Sequence, residues 1–97
     1  MTYLSNMTPR QNFKNLCNLT TDLVGLPKGS LSNRSREQKY QIPRAVISVI
    51  ARQEENIHRD VIGKGINRDR TCVNHYEKFH EPNYKSYERY RKTYINV

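Results

Sequence analysis

Apolar residues recur along this chain at helical rather than alternating intervals. Phe13, Leu16, Cys17, Thr20 and Val24 share one face at helical spacing, with Leu23 beside them. The spacing predicts a first helix from about Thr8 to Val24, with Pro9 in the first turn, where a missing N–H costs nothing. Gly25 and Pro27 then stop it. The segment "LPKGSLSNRS" is rich in turn residues and predicts a loop holding one short helical turn around Leu31. A second stripe, Ile42, Val46, Val49, Ile50 and Gln53, predicts the longest helix, from about Arg36 to Glu55. Its "VISVI" run is β-branched enough for a strand, but the charged flanks and the length favour a buried helix. Pro43 lies inside this pattern. It lacks a backbone donor and crowds the preceding turn, so the helix either begins near it or kinks there.

The stretch "NIHRDVIGKGINRDRTCVNHYEKFHEP" reads as two helices about a tight turn. Ile57, Val61 and Ile62 give the first a short apolar face, Gly63 and Gly65 allow close approach, and Ile66 plugs the corner. The next helix starts near Asp69, whose carboxylate suits the free N–H groups of a helix start. Val73, Tyr76 and either Phe79 or His80 face inward, and Pro82 ends it. A short helix, a glycine-containing turn and a helix opening in polar and basic residues have the grammar of a helix-turn-helix, over residues 57–80. The tail "EPNYKSYERYRKTYINV" repeats tyrosine at helical steps through Tyr84, Tyr87, Tyr90 (or Arg91) and Tyr94. It predicts a basic, tyrosine-rich C-terminal helix over 83–95, either packed on the domain or offered to a dimer mate, a protein partner or a phosphate. The pattern as a whole predicts an all-α domain of five or six helices.

Composition narrows the picture. With 97 residues, 35% of them hydrophobic, the chain predicts a single domain over 1–97 and leaves little scaffold for a large catalytic cleft. Seventeen lysines and arginines against nine acids give a formal net charge of +8, which favours anionic partners, whether nucleic acid, an acidic protein surface or anionic lipid, without choosing among them. The cations gather in three groups: Lys28, Arg34, Arg36, Lys39 and Arg44; Lys64, Arg68 and Arg70; and Lys85, Arg89, Arg91 and Lys92. No apolar run is long enough to span a bilayer, and "MTYLSNMTPRQNF" lacks a signal-peptide pattern, so the expected location is cytoplasmic. Cys17 and Cys72 are expected as free thiols. Cys72, His75 and His80 fit no zinc spacing, and no catalytic constellation stands out. Neither a metal, a cofactor nor an enzymatic activity is therefore expected, and His75 is read as a packed structural histidine.

At "NRDRTCVNH" the residues carry a resemblance. The stretch is similar to the G-R-D-H-[ST]-T-V-x-H signature of the C-terminal DNA-binding domain of the bacterial replication initiator DnaA, matching it at Arg68, Asp69, Thr71, Val73 and His75. Upstream, Gly25, Pro27, Leu31, Ser32, Ser35, Arg36, Pro43 and Arg44 fall in places corresponding to that family's turn, short helix, basic loop and long helix. Ile62 and Gly63 fall where it has its I-G pair. The resemblance covers roughly residues 16–80. Arg70 stands in place of the family's histidine, Cys72 in place of a threonine, and one glycine before the arginine is missing. No G-x-x-x-x-G-K-[ST] phosphate loop is present in these 97 residues, so no ATPase step is expected of them.

The resemblance implies a helix-turn-helix of the DnaA C-terminal type whose recognition helix, 69–80, enters the major groove of double-stranded DNA. Asp69, Arg70, Thr71 and Cys72 would then meet base edges: aspartate can accept from cytosine, arginine can grip guanine, and a threonine methyl can touch thymine. It implies that the basic loop 33–39 sends Arg34 and Arg36 into the adjacent minor groove. Ser35, Lys39, Arg44, Lys64, Arg68 and Lys78 would serve phosphates. The expected role is transcription or replication regulation, in a protein of phage or plasmid type. A protein-binding antagonist of host machinery and a small DNA-packaging accessory factor are the alternatives.

Overall fold

Thr8 opens the described part of this computed structural model, residues 8–97, by capping the first helix. Its hydroxyl accepts from the Gln11 N–H at 3.1 Å, and the Gln11 side chain accepts from the Thr8 N–H in return. Pro9 occupies the first helical position, so α1 (Pro9–Val24) begins as expected. It ends at Gly25, whose φ of 77° is the left-handed conformation that favours glycine. A single 3₁₀ turn (Ser30–Ser32) follows and buries Leu31. Then come α2 (Gln38–Gln53), α3 (Arg59–Gly65), α4 (Arg70–Ser86) and α5 (Glu88–Asn96), with no strand among the described residues. The fold is all-α, and "VISVI" is helical.

Helix α2 is the axis of the molecule and packs against every other helix and the 3₁₀ turn. Residues 42–49 are buried on all sides, the pattern of a helix enclosed by its neighbours rather than lying on a surface. Two apolar clusters meet on it. Ile47 and Ala51 join Phe13, Leu31, Ile57, Ile62, Ile66 and Val73; Ile42, Ala45 and Val46 join Tyr90. Pro43 is tolerated inside α2, which begins at Gln38 and continues past it. The helix therefore neither starts at the proline nor stops there. Gln53, expected on the apolar stripe, is exposed.

Two expectations for the C-terminal third are corrected. Pro82 does not end α4, which runs through it to Ser86 with the proline on the exposed side. Residues 83–86 therefore belong to α4, and α5 starts only after Tyr87 leaves the helical conformation. Phe79 is 40% exposed, and His80 takes the inward position instead. His80 Nδ1 and the Tyr90 hydroxyl lie 2.7 Å apart, within an aromatic cluster completed by Tyr84 and Tyr94. The tyrosines thus hold α5 on the domain. Burial lowers the pKa of His80, against a smaller opposing pull from Glu81. Among the described residues no helix is long and apolar enough to cross a membrane.

Candidate nucleic-acid interface

The turn between α3 and α4 sets where the candidate recognition helix points. The Arg68 N–H donates to the Gly63 carbonyl at 2.7 Å, closing the chain tightly after α3. A Cβ on Gly63 would sit 2.7 Å from the Arg68 carbonyl, so the turn admits glycine there and nothing larger without shifting. Asn67 takes a left-handed φ of 57°, a conformation asparagine tolerates better than most residues. An ionic clamp then fixes the helix against its neighbours. Glu77 on α4 meets Arg59 of α3 at 2.8 Å and Arg52 of α2 at 3.4 Å. Arg52 Nε and Glu77 Oε1 make no other hydrogen bond and face each other across that second contact.

Helix α4 is divided cleanly by its own periodicity. Val73 is buried, and Tyr76, Glu77 and His80 lie on the same inward side. Arg70, Thr71, Asn74, His75 and Lys78 are all exposed, and 3.6 residues per turn gathers them within an arc of roughly 140°. Asp69 stands at the N-cap, is exposed, and its carboxylate makes no capping hydrogen bond. Arg70 approaches Asp60 only loosely, at 3.8 Å and with both side chains exposed, a pairing worth at most about 1 kcal/mol. Cys72 does not share this outward arc. It is half-buried and hydrogen-bonded to Tyr76, whose pKa is raised by burial first and by that bond second. The Cys72 side chain is thus set apart from the exposed residues beside it.

The basic loop is fastened to α2, the helix against which α4 packs. Arg44, expected on a phosphate, is 1% exposed. Its Nε donates to the Leu31 carbonyl at 2.6 Å, Nη1 to Ser35 O at 2.7 Å, and Nη2 to Asn33 O and Oδ1 at 2.8 and 2.5 Å. Burial pulls its pKa down, with the nearby Arg68 charge adding to the effect, while Tyr76, Cys72 and Tyr40 oppose it. Those neighbours belong to the α3–α4 turn, to α4 and to α2. One guanidinium therefore holds the carbonyls of the loop on α2, the helix against which the candidate recognition helix also packs. Ser35 is also engaged internally: its hydroxyl bonds the Glu37 N–H and carboxylate, and its N–H donates to Asn33 Oδ1.

With the loop so fixed, Arg34 and Arg36 project outward, and neither side chain has an ion-pair or hydrogen-bond partner among the described residues. Lys64 is likewise exposed and unpaired, at the end of α3. Lys39 leans on the Tyr40 ring and, weakly, on Glu37; Lys78 lies over Phe79. Arg68 bends back to the carbonyls of Ile66 and Asn67. His75, expected to pack, is exposed beside Phe79 instead. Asn74 went unnoticed in the sequence although it lies four residues after Arg70, a spacing that marks a shared helix face. Of the third basic group, Lys85 and Lys92 pair with Glu81 and Glu88 one turn away.

No protein-family model matches the chain, and no curated protein or solved structure is detectably similar to it.

Proposed function

We propose that this protein binds double-stranded DNA sequence-specifically and regulates transcription or replication. The outward arc of α4 lies in the major groove, with Asp69, Arg70, Thr71 and Asn74 at base edges and His75 and Lys78 toward the backbone. Arg34 and Arg36 reach the neighbouring minor groove, where a narrow A·T-rich segment attracts guanidinium. Lys39, Lys64 and Arg68 neutralise phosphates and set register. One observation supports this above the rest: the two unpaired arginines ride on a loop that the buried Arg44 fastens to α2, and the polar helix start, distant in sequence, belongs to α4, which packs on the same helix. Helical DNA offers adjacent grooves to such a pair of elements. The resemblance of "NRDRTCVNH" to the DnaA signature favours the same assignment.

The test is a mobility-shift titration at two salt concentrations on duplexes selected from a random pool. A DNA reader gives an enriched sequence and an affinity that falls steeply with salt, because each neutralised phosphate releases counterions. An absence of any salt-dependent shift would leave the rival, a protein-binding antagonist. That rival draws on the exposed Leu19 and Leu23 of α1, at 50% and 52% exposure.

A further inference from the structure

Between α1, the 3₁₀ turn and α3 lies a cavity of about 630 Å³, on residues to which the DNA reading gives no role apart from Lys64. Its volume falls inside the roughly 300–1,000 Å³ typical of small-molecule sites. The floor is apolar and firmly built. Phe13 and Leu31 are buried beneath it, and Gly65 lets the Phe13 ring lie directly on the backbone of α3, since a Cβ there would overlap the ring. Cys17 and Val61, both half-buried, form walls. Burial pushes the Cys17 thiol up to about 12, so this wall stays uncharged at neutral pH.

The rim has the opposite character. Arg10, Lys14 and Lys64 stand around the opening, all three exposed, and no aspartate or glutamate lines the cavity. None of the three has an ion-pair partner among the described residues. Arg59, Lys85 and Lys92 by contrast pair with Glu77, Glu81 and Glu88, whereas Arg34 and Arg36 stand unpaired as these three do. Here three cations face a space that holds no counter-charge. An occupant that satisfies both parts must carry an apolar body into the cleft and leave an anionic head at its mouth.

We propose that the cavity between α1, the 3₁₀ turn and α3 is a binding site for a small anionic amphiphile, an apolar chain ending in a carboxylate. The chain lies on Phe13 between Cys17 and Val61, and the carboxylate meets the cations of the rim. Lys14 and Arg10 lie one turn apart on α1, while Lys64 comes from α3, so the head group bridges two helices. A neutral molecule of the same size would gain the apolar contact but none of the charge-assisted bonds.

The probe is decanoate, titrated into the full chain well below its micelle concentration and followed by amide NMR shifts, with decanol as the neutral counterpart. No DNA enters the measurement, so its result is separate from that of the mobility-shift assay. The expected result is saturable binding of decanoate with shifts centred on Phe13, Cys17, Val61 and Lys64, and weaker binding of decanol. Lys14→Glu, on an exposed position that leaves the core intact, should weaken decanoate about tenfold while leaving decanol unchanged. Val61→Trp, which fills the cleft, should abolish both; if that variant fails to fold, Lys14→Glu still decides. Non-saturable binding, decanol binding as tight as decanoate, unchanged decanoate affinity in Lys14→Glu, or shifts centred on Leu19 and Leu23 would each overturn the proposal.

Discussion

The two ends of α4 are built on opposite principles. At its start, Asp69, Arg70, Thr71 and Asn74 are exposed, and their side chains have little to do within the domain. At its far end, His80 and Tyr84 are gathered with Tyr90 and Tyr94 into an aromatic cluster that pins α5 to α2. One end spends its residues on the fold, the other withholds them from it. Between them, Glu77 and its two arginines hold the helix at a fixed angle to α2 and α3. A helix anchored at one end and polar at the other is suited to presenting that polar end to a partner, because ordering on contact is not needed.

The comparison fails if damage to the two ends cannot be told apart. Tyr90→Ala removes a fully buried aromatic and should cost about 3–5 kcal/mol of stability in urea unfolding. The folded fraction should keep its DNA sequence preference; a changed preference would mean that the packed end also reads.

Arg44→Ala strands the carbonyls of Leu31, Asn33 and Ser35 together, and about 3 kcal/mol of destabilisation is expected from unsatisfied buried groups of this kind. A loss below about 0.5 kcal/mol would mean that water replaces the guanidinium and that the loop is held by other means.

Arg70→Ala should do the converse of Tyr90→Ala. Stability should change by no more than about 0.5 kcal/mol, while affinity for the selected site falls by about 1–3 kcal/mol if Arg70 grips a guanine. That loss should largely vanish on a site whose guanine is already replaced; full additivity of protein and DNA changes would reduce the arginine to positioning.

A smaller effect comes from pH. The folded-state pKa of His80 lies below its ordinary value of 6.5, so the unfolded chain takes up the proton first. Stability is complete above about pH 6.5 and falls as pH drops from there toward the lowered folded value. Unfolding titrations of His80→Gln should lack this slope; an unchanged slope would assign it to another group.

Smallest of all, Lys39→Ala should leave stability almost unchanged and remove about one unit from the slope of log affinity against log salt. An unaltered slope takes Lys39 off the phosphates.

Much of this architecture could be read from local chemistry. Thr8, Pro9 and Gly25 mark the ends of α1 because caps act within a single turn, and the alternation of Ile57, Ile62 and Ile66 with glycine placed the α3–α4 turn. What escaped depended on contacts distant in sequence. Pro82 looks like a terminator until the tyrosine cluster is there to hold the helix on both sides of it. Arg44 looks like any surface arginine in a basic run, since nothing local announces that carbonyls 9 to 13 residues earlier will surround it. The choice between Phe79 and His80 was likewise settled by Tyr90, ten residues away, which offers a hydroxyl to a ring nitrogen and nothing to a phenyl ring. At the candidate interface the sequence located the exposed arginines and the helix start, but could not distinguish outward side chains from those turned beneath them.

The Arg44 bracket has a geometric consequence. By fastening the loop to α2, on which α4 also packs, it restrains the distance and the angle between the loop and the head of α4, so the molecule carries a built-in ruler. On DNA, one inserted base pair between the two contacts displaces the second by about 3.4 Å along the axis and turns it about the helix by roughly one tenth of a revolution. A flexible arm would absorb such a step. A loop clasped by a buried guanidinium would not, and spacing itself would become part of what the protein recognises.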